Sequence, residues 1–322
     1  MRLRMIAFCL GLLALHANSA SAEDYPTRPI RIIVPSAAGG GFDLTARIIS
    51  EKLSETLGKP VIVENRTGAG TLIGTQYVTT MPADGYTLLL GGLSNIALNP
   101  GLYQKLPYDS LKDFVPVSLA VNWSFTLVAR KNLPMNTLPE VIAYAKAHPG
   151  ELTYASAGNG TGQHIAMATT ATLAGVKLTH IPYRGAAEAM QDVLAGRDDL
   201  FFDNTASSLS QVRANAVKTL AVSSAQRQPV LPDVPSVMET KVAPLDMVTW
   251  FGLFARRGTP DAVIAKIRDA MKVVVTDRKV IAVFQKTGGN VMNLSPEDTE
   301  ALVKRDVERW TKLLHEAGVS LD

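Results

Sequence analysis

The chain has 322 residues, more than one ordinary domain holds, and balances 32 basic against 29 acidic residues with five histidines. So even a charge excludes partners held mainly by electrostatics: no nucleic acid and no anionic membrane is expected. The single cysteine, Cys9, excludes a disulfide framework.

The elements follow in chain order. Met1–Arg4 is a short basic stretch, Met5 to Ala17 an apolar run, and Ala20-Ser-Ala22 a small-residue cleavage signal. Residues 1–22 are therefore predicted to be a signal peptide, and the mature chain to begin near Glu23 and be exported. Cys9 sits inside the apolar run, ahead of the cleavage signal, so it is not read as a lipid anchor. Removing Arg2 and Arg4 leaves 30 basic against 29 acidic residues, a net charge of +1.

Ile30 to Val34 reads as a buried strand, followed by Ser36-Ala-Ala-Gly-Gly-Gly-Phe42 and a helix from Asp43 to about Gly58. Asp43 is expected to cap that helix, with Arg47 as its partner. A strand at Val61–Val63, a helix at Leu72–Thr80 and a strand at Tyr86–Leu90 complete a βαβαβ unit and a mainly parallel sheet. The grammar repeats with a strand at 127–129, a helix at 138–147, a strand at 152–155 and the glycine-rich Ser156–Gly162. A helix from Gln163, a strand at 178–181, a helix at 185–194 and strands at 200–202 and 219–222 follow. The proline-rich segment 228–244 is read as loop, then a strand at 249–255. Helices open at Pro260, with Thr259 as N-cap, and continue at 279–286 and 296–317.

Two α/β units with a helical tail returning to the first imply two crossings, a hinge and a cleft. One lobe is expected from 23–125 plus 247–322, the other from 126–246. Trp123 and Trp250 fall near the crossings and are read as hinge or core aromatics.

Both glycine-rich loops join a strand end to a helix start, where unpaired N–H groups and the helix dipole favour an anion. The first, Ser36, Ala37, Ala38, Gly39, Gly40 and Gly41, lacks the lysine of a P-loop and the spacing of a dinucleotide fingerprint. In the second, Ser156, Asn159 and Thr161 offer neutral hydroxyls and an amide. Ser94, after the third strand, is placed to reach the same cleft. Asp203 ends a strand there and either accepts from a ligand or fixes the hinge. His164, Arg66 and Arg184 are read as structural or surface groups. No Gly-x-Ser-x-Gly elbow, cofactor motif or metal-ligand spacing occurs. Ser156, His164 and Asp203 can be drawn as a triad, so a secreted hydrolase with an interlobe site stands as the alternative function.

The ordered segments Tyr25-Pro-Thr-Arg-Pro-Ile-Arg-Ile-Ile-Val-Pro35, Ala38-Gly-Gly-Gly-Phe-Asp43, Glu64-Asn-Arg-Thr-Gly-Ala-Gly70 and Asp84-Gly-Tyr-Thr87 carry a resemblance. So do Leu106-Pro-Tyr-Asp109, Asp113-Phe-Val-Pro116, Tyr154-Ala-Ser-Ala-Gly158, Tyr183-Arg-Gly185, Pro232-Asp-Val-Pro235 and Gly258-Thr-Pro260. Together they resemble the periplasmic substrate-binding proteins of tripartite tricarboxylate transporters, the Bug-type receptors. The resemblance implies a two-lobed venus-flytrap, periplasmic-binding-protein (type II-like) fold. It further implies a small organic carboxylate as ligand, no cofactor, no catalysis, a membrane permease as partner and a monomeric receptor. It places the carboxylate on Ser36–Gly41, with Ser156 and Thr161 opposite and Asp203 at the distal end. Thr71 departs from the pattern, where a third glycine is common.

Overall fold

The computed structural model describes residues 25–316 and 319–321; the segment read as a signal peptide lies outside the described residues. Strand β1 (Ile30–Val34) runs parallel to β2 (Val61–Asn65) on one side and to β3 (Thr87–Gly92) on the other. Helix α1 (Gly41–Leu57) joins β1 to β2, and α2 (Leu72–Thr79) leads into β3. The α1 pattern is amphipathic: Phe42, Ala46, Ile49 and Leu53 are buried, and Gly58 ends the helix in a left-handed conformation. Ile30, Ile32 and Ile33 are fully buried, each contributing roughly 1.5–3 kcal/mol relative to exposure. After β3, a π-helical turn (Leu93–Leu98) runs into the short α3 (Asn99–Leu102).

Strand β4 (Phe114–Arg130) serves two sheets. Through Ser124 it pairs antiparallel with β9 (Val248–Arg256), which also borders β3. From Phe125 it pairs antiparallel with β7 (Leu200–Asn204) and β8 (Val217–Val222). Next to β7 lies β5 (Thr153–Ser156), then β6 (Thr179–Pro182), all parallel. The helices of this second sheet are α4 (Leu138–Ala147), α5 (Gly162–Ala174), α6 (Ala186–Leu194) and α7 (Thr205–Arg213). Segment 228–244 forms no named strand or helix. Helices α8 (Asp261–Thr276) and α9 (Arg278–Lys286) follow β9, then β10 (Asn290–Val291) and α10 (Pro296–Glu316). Helix α8 packs on α1, and α10 packs on the π-helical turn, α3 and β4.

The strand expected at 127–129 is the last part of a 17-residue strand. Register shifts at Pro116/Ser118 and Leu119/Val121 break the alternation that a sequence reading relies on. Helix α7 was not expected. Its sequence, Thr-Ala-Ser-Ser-Leu-Ser-Gln-Val-Arg, is poor in helix formers, and the Asn204 side chain caps it by accepting from Ala206 N–H. Thr259 is not an N-cap: its hydroxyl donates to Arg256 O, and Pro260 occupies the cap position.

The two crossings are laced at Ser223. Its hydroxyl accepts from Phe125 N–H (2.9 Å) and donates to Met247 O (2.6 Å), while Met247 N–H donates to Ser223 O. Trp123 and Trp250 are buried here, in register with Thr249 and Asn122. Trp250 Nε1 donates to Asp306 of α10, and Trp123 stacks edge-on against Phe284.

Candidate ligand-binding site

The first loop leaves β1 at Val34 and enters α1 at Gly41. Its helix cap is Gly40, which has no side chain to offer. Asp43 is therefore not the N-cap but sits inside the first turn. From there its carboxylate accepts from Gly39 N–H (3.0 Å), Arg47 Nε (2.9 Å) and Asn65 Nδ2 (3.0 Å). Burial pushes the Asp43 carboxyl up, but the bonds from Arg47, Gly39 and Asn65 outweigh it and hold it below its ordinary value. Asn65 also donates to Ser36 O (3.0 Å), tying the loop to the end of β2. The loop is thus braced from behind. Ser36 Oγ donates to Ala37 O. Among the described residues, the N–H groups of Ala37, Ala38 and Gly40, and of Gly41, Phe42 and Asp43 in the first helical turn, have no protein acceptor. Ala38 and Gly39 are exposed, while Gly40 and Gly41 are buried.

The second loop uses its donors on itself. Gly158 N–H donates to Ser156 Oγ (3.1 Å), Gly160 N–H to His164 Nδ1 (3.2 Å) and Thr161 N–H to Gly158 O (3.3 Å). Gly162 N–H donates across to Ser94 Oγ (3.0 Å), which places Ser94 at the junction of the two sheets. The Thr161 hydroxyl donates to Gly158 O (2.7 Å), and Ser156 Oγ lies 2.7 Å from His180 Nε2. Beneath the loop, the His164 and His180 rings stack at 4.1 Å, with Tyr154 against His180 at 4.7 Å. Burial lowers both histidines to about 4, and the neighbouring His180 adds to the effect on His164. The Gly160 N–H···Nδ1 bond likewise requires a neutral His164 ring. Asn159 is exposed at the loop tip.

The loops meet. A Cβ placed on Gly185, in extended backbone, would lie 2.5 Å from the Ala37 Cβ. A Cβ on Gly70 would lie 1.7 Å from the Asn159 carbonyl oxygen, and Gly70 itself has a left-handed φ of 57°. A Cβ on Gly41 would lie 3.0 Å from the Asn204 side-chain amide. Asn204 Oδ1 is committed to Ala206 N–H, so its Nδ2 is the atom left over; it is buried, 1 % exposed, and has no partner among the described residues. Beside the Gly70–Asn159 contact, and not lined by residues 37–43 or Asn204, is a cavity of about 370 Å³. Pro35, Ser36 and Gly68–Leu72 line one side, Ala157–Asn159 and Pro182–Arg184 the other.

Asp203 faces away from Asn204, as neighbours on a strand do. Its carboxylate accepts from Ser207 Oγ (2.7 Å) and Asn204 N–H (2.8 Å), and also bonds Gln163. Burial pushes it up to about 7 despite those bonds. The triad drawn from sequence does not assemble. Ser156 pairs with His180 rather than His164, Asp203 is bound to Ser207 and Gln163, and a hydrolase is not supported. Arg66 is ion-paired with Glu64 and lies over the Tyr77 ring. Arg184 is exposed and, among the described residues, is the one charged side chain lining the cavity. Among the described residues, no group of three or more histidine, cysteine or acidic side chains could hold a metal ion. Sequence reasoning places Asp203-Asn204 at a strand end near the cleft but gives a role only to Asp203; the unpartnered buried amide belongs to Asn204. Its signal was present: an asparagine at a strand end, directly before a run that turns out to be helical.

Comparison with known proteins agrees with this architecture. Residues 45–319 match the model of the tripartite tricarboxylate transporter family receptor. A protein from Pseudomonas sp. strain P51, in the tcbD–tcbE intergenic region, is 36% identical over 317 residues, 98% of this chain and 94% of that one. The periplasmic binding protein BugD superposes with a TM-score of 0.88 at 35% identity, covering 92% of this chain and 100% of that one. A Rhodopseudomonas palustris protein solved with adipate gives 0.88 at 32% identity over the same shares. The fold is the two-lobed periplasmic-binding-protein fold, and the chain belongs to the tripartite tricarboxylate transporter family of receptors.

Proposed function

We propose that this chain is an extracytoplasmic receptor that closes on a small organic carboxylate and presents it to the membrane permease of a tripartite tricarboxylate-type transporter. It is exported by residues 1–22 and acts as a monomer, since one chain supplies both walls of the cleft. The lobes are 23–125 plus 247–322, and 126–246. The carboxylate sits on the N–H groups of Ala37, Ala38 and Gly40–Asp43. Asn204 Nδ2 adds a side-chain donor, and Ser36 and Ser94 complete the first-lobe surface. The second loop, with Ser156, Asn159 and Thr161, is the opposing wall. Asp203 shapes that wall from behind rather than touching the ligand.

The observation that carries the reading is the buried, unpartnered Asn204 Nδ2 against a helix start whose first N–H groups are unused. A buried donor without a partner costs ~1–3 kcal/mol, and a carboxylate is the group that removes that cost. Each hydrogen bond to a charged acceptor contributes roughly 1.5–3 kcal/mol, so a few of them suffice for micromolar affinity without an arginine clamp. The adipate bound by the R. palustris relative supports the ligand class. Calorimetric titration with adipate, succinate and malate tests it. Saturable binding with the acid recovered unaltered is expected; no binding of any of these acids, or a chemically changed acid, refutes it.

A further inference from the structure

A second helix start abuts the first loop, and it belongs to α6 rather than to the second glycine-rich loop. Its cap residue is Gly185, in extended backbone and with no side chain to offer. Among the described residues, the N–H groups of Gly185, Ala186, Ala187 and Glu188 have no protein acceptor. The first loop rests directly on this start. A Cβ on Gly185 would lie 2.5 Å from the Ala37 Cβ, one on Gly40 3.6 Å from the Ala186 Cβ, and one on Gly39 3.7 Å from the Ala187 Cβ. Helices α1 and α6 therefore meet N-terminus to N-terminus, with glycine and alanine between them. Each N-terminus carries about +0.5 of an elementary charge. Like poles in contact disfavour closure until negative charge lies between them. The nearby carboxylates are committed elsewhere: Asp43 accepts from Gly39, Arg47 and Asn65, and the exposed Glu188 accepts from Arg184 N–H (3.4 Å). A side chain points to the same ligand class. The unpartnered Asn204 Nδ2, on a residue 1 % exposed, lies 3.0 Å from where a Cβ on Gly41 would be.

We infer that the start of α6 is the second-lobe half of the anion site: the N–H groups of Ala186 and Ala187 close over the same carboxylate that the first loop holds, so the acid group lies between two opposed helix N-termini. The inference rests on the receptor reading above and deepens it. It divides the second lobe's work. The loop Ser156–Gly162, whose donors are spent within the protein, gives the wall its shape, and α6 gives it donors. It also links binding to closure. The first-turn N–H groups of a helix need an acceptor, and at both starts the acceptor is the ligand. An empty cleft therefore favours the parted lobes, and an acid favours the joined ones.

The test titrates adipate, succinate and malate into the full chain and three variants. Ala186→Pro deletes one N–H at the first helical position, where proline is tolerated and where the extended Gly185 before it suits proline. It is expected to weaken the best-bound acid on the order of 10-fold. Ala187 is exposed at the rim of the same start, so its charge can be changed without disturbing the core. Ala187→Asp supplies a competing carboxylate and is expected to weaken binding about fivefold; Ala187→Lys adds a cation and is expected to tighten it about threefold. A merely structural role for α6 would not give shifts of opposite sign. Should Ala186→Pro not fold, the Ala187 pair decides alone. Affinities unchanged in the variants, or a shift of the same sign for Ala187→Asp and Ala187→Lys, with the unmodified protein binding at least one acid, would overturn the α6 site alone. No binding of any acid by the unmodified protein would overturn the receptor reading, and the α6 site with it.

Discussion

The two glycine-rich loops have the same address, strand end to helix start, and opposite hydrogen-bond economies. Ser36–Gly41 is braced by side chains behind it, through Asp43, Arg47 and Asn65, and keeps its forward N–H groups unused. Ser156–Gly162 consumes the N–H groups of Gly158, Gly160, Thr161 and Gly162, and the hydroxyls of Ser156 and Thr161, within the protein. Glycine content marks both as places of close backbone approach. It does not say which one can bind an anion. That depends on whether the donors are already satisfied, and a helix start binds an anion only with donors left over.

This contrast is open to attack at several points. The largest effect is expected at Gly185→Ala. The residue is in extended backbone, so alanine adds no strain, but its Cβ would press on Ala37 and hold the lobes apart. Affinity should fall on the order of 100-fold with the ligand-free melting temperature unchanged; an unaltered affinity would mean that the first loop need not close against Gly185. Next, His164→Leu removes the acceptor of Gly160 N–H and should cost ~1–3 kcal/mol of stability in urea unfolding. Thr161→Val keeps the shape and removes one internal hydrogen bond. It should lower stability by ~1 kcal/mol and change affinity by less than about threefold. A loss of affinity without a loss of stability would restore Thr161 as a direct ligand donor.

The smallest effect is a pH dependence. His164 and His180 have folded values near 4, below the ordinary 6.5. The unfolded chain thus binds more protons between those limits. The stability from the neutral stack is complete above pH 6.5 and is lost as pH falls toward 4; His180 is only half-buried, so solvent screens much of the effect. Asp203 acts in the reverse sense. Its raised value makes its contribution complete below 3.8, lost as pH rises through 7. The difference between wild type and His164→Gln/His180→Gln isolates the histidines. Urea midpoints at pH 7 and pH 4.5 should fall further for wild type; an equal fall in both would remove the stack from the account.

Much of this was legible in the sequence because its signals were local. The first βαβαβ unit shows in Ile30–Val34, in Gly58 and in a helical stripe that sequence reads as Leu44, Ile48, Ile49 and Leu53; of these the structure buries Ile49 and Leu53, with Phe42 and Ala46 in place of Leu44 and Ile48. Leu138–Ala147 is bounded by His148-Pro-Gly150, and the structure adds Thr137 as its N-cap. What was not legible depended on partners distant in sequence. Strand β4 hides because it bends between two sheets, and α7 because serines and a threonine fill its first turns. The hydroxyls of Ser156 and Thr161 look like free donors until His180 and the Gly158 carbonyl are placed beside them. Asn204 looks like a strand end and nothing more until Ala206 N–H takes its Oδ1 and Gly41 lies beside its Nδ2.

The most direct measurement concerns Asn204. Asn204→Asp keeps the oxygen that caps α7 and replaces the unpartnered Nδ2 with a second carboxylate oxygen. Titrated with adipate, the variant is predicted to fold normally and to bind at least ~10-fold more weakly than wild type. Equal or tighter binding would contradict the claim that unused donors at the first loop and at Asn204 hold the acid.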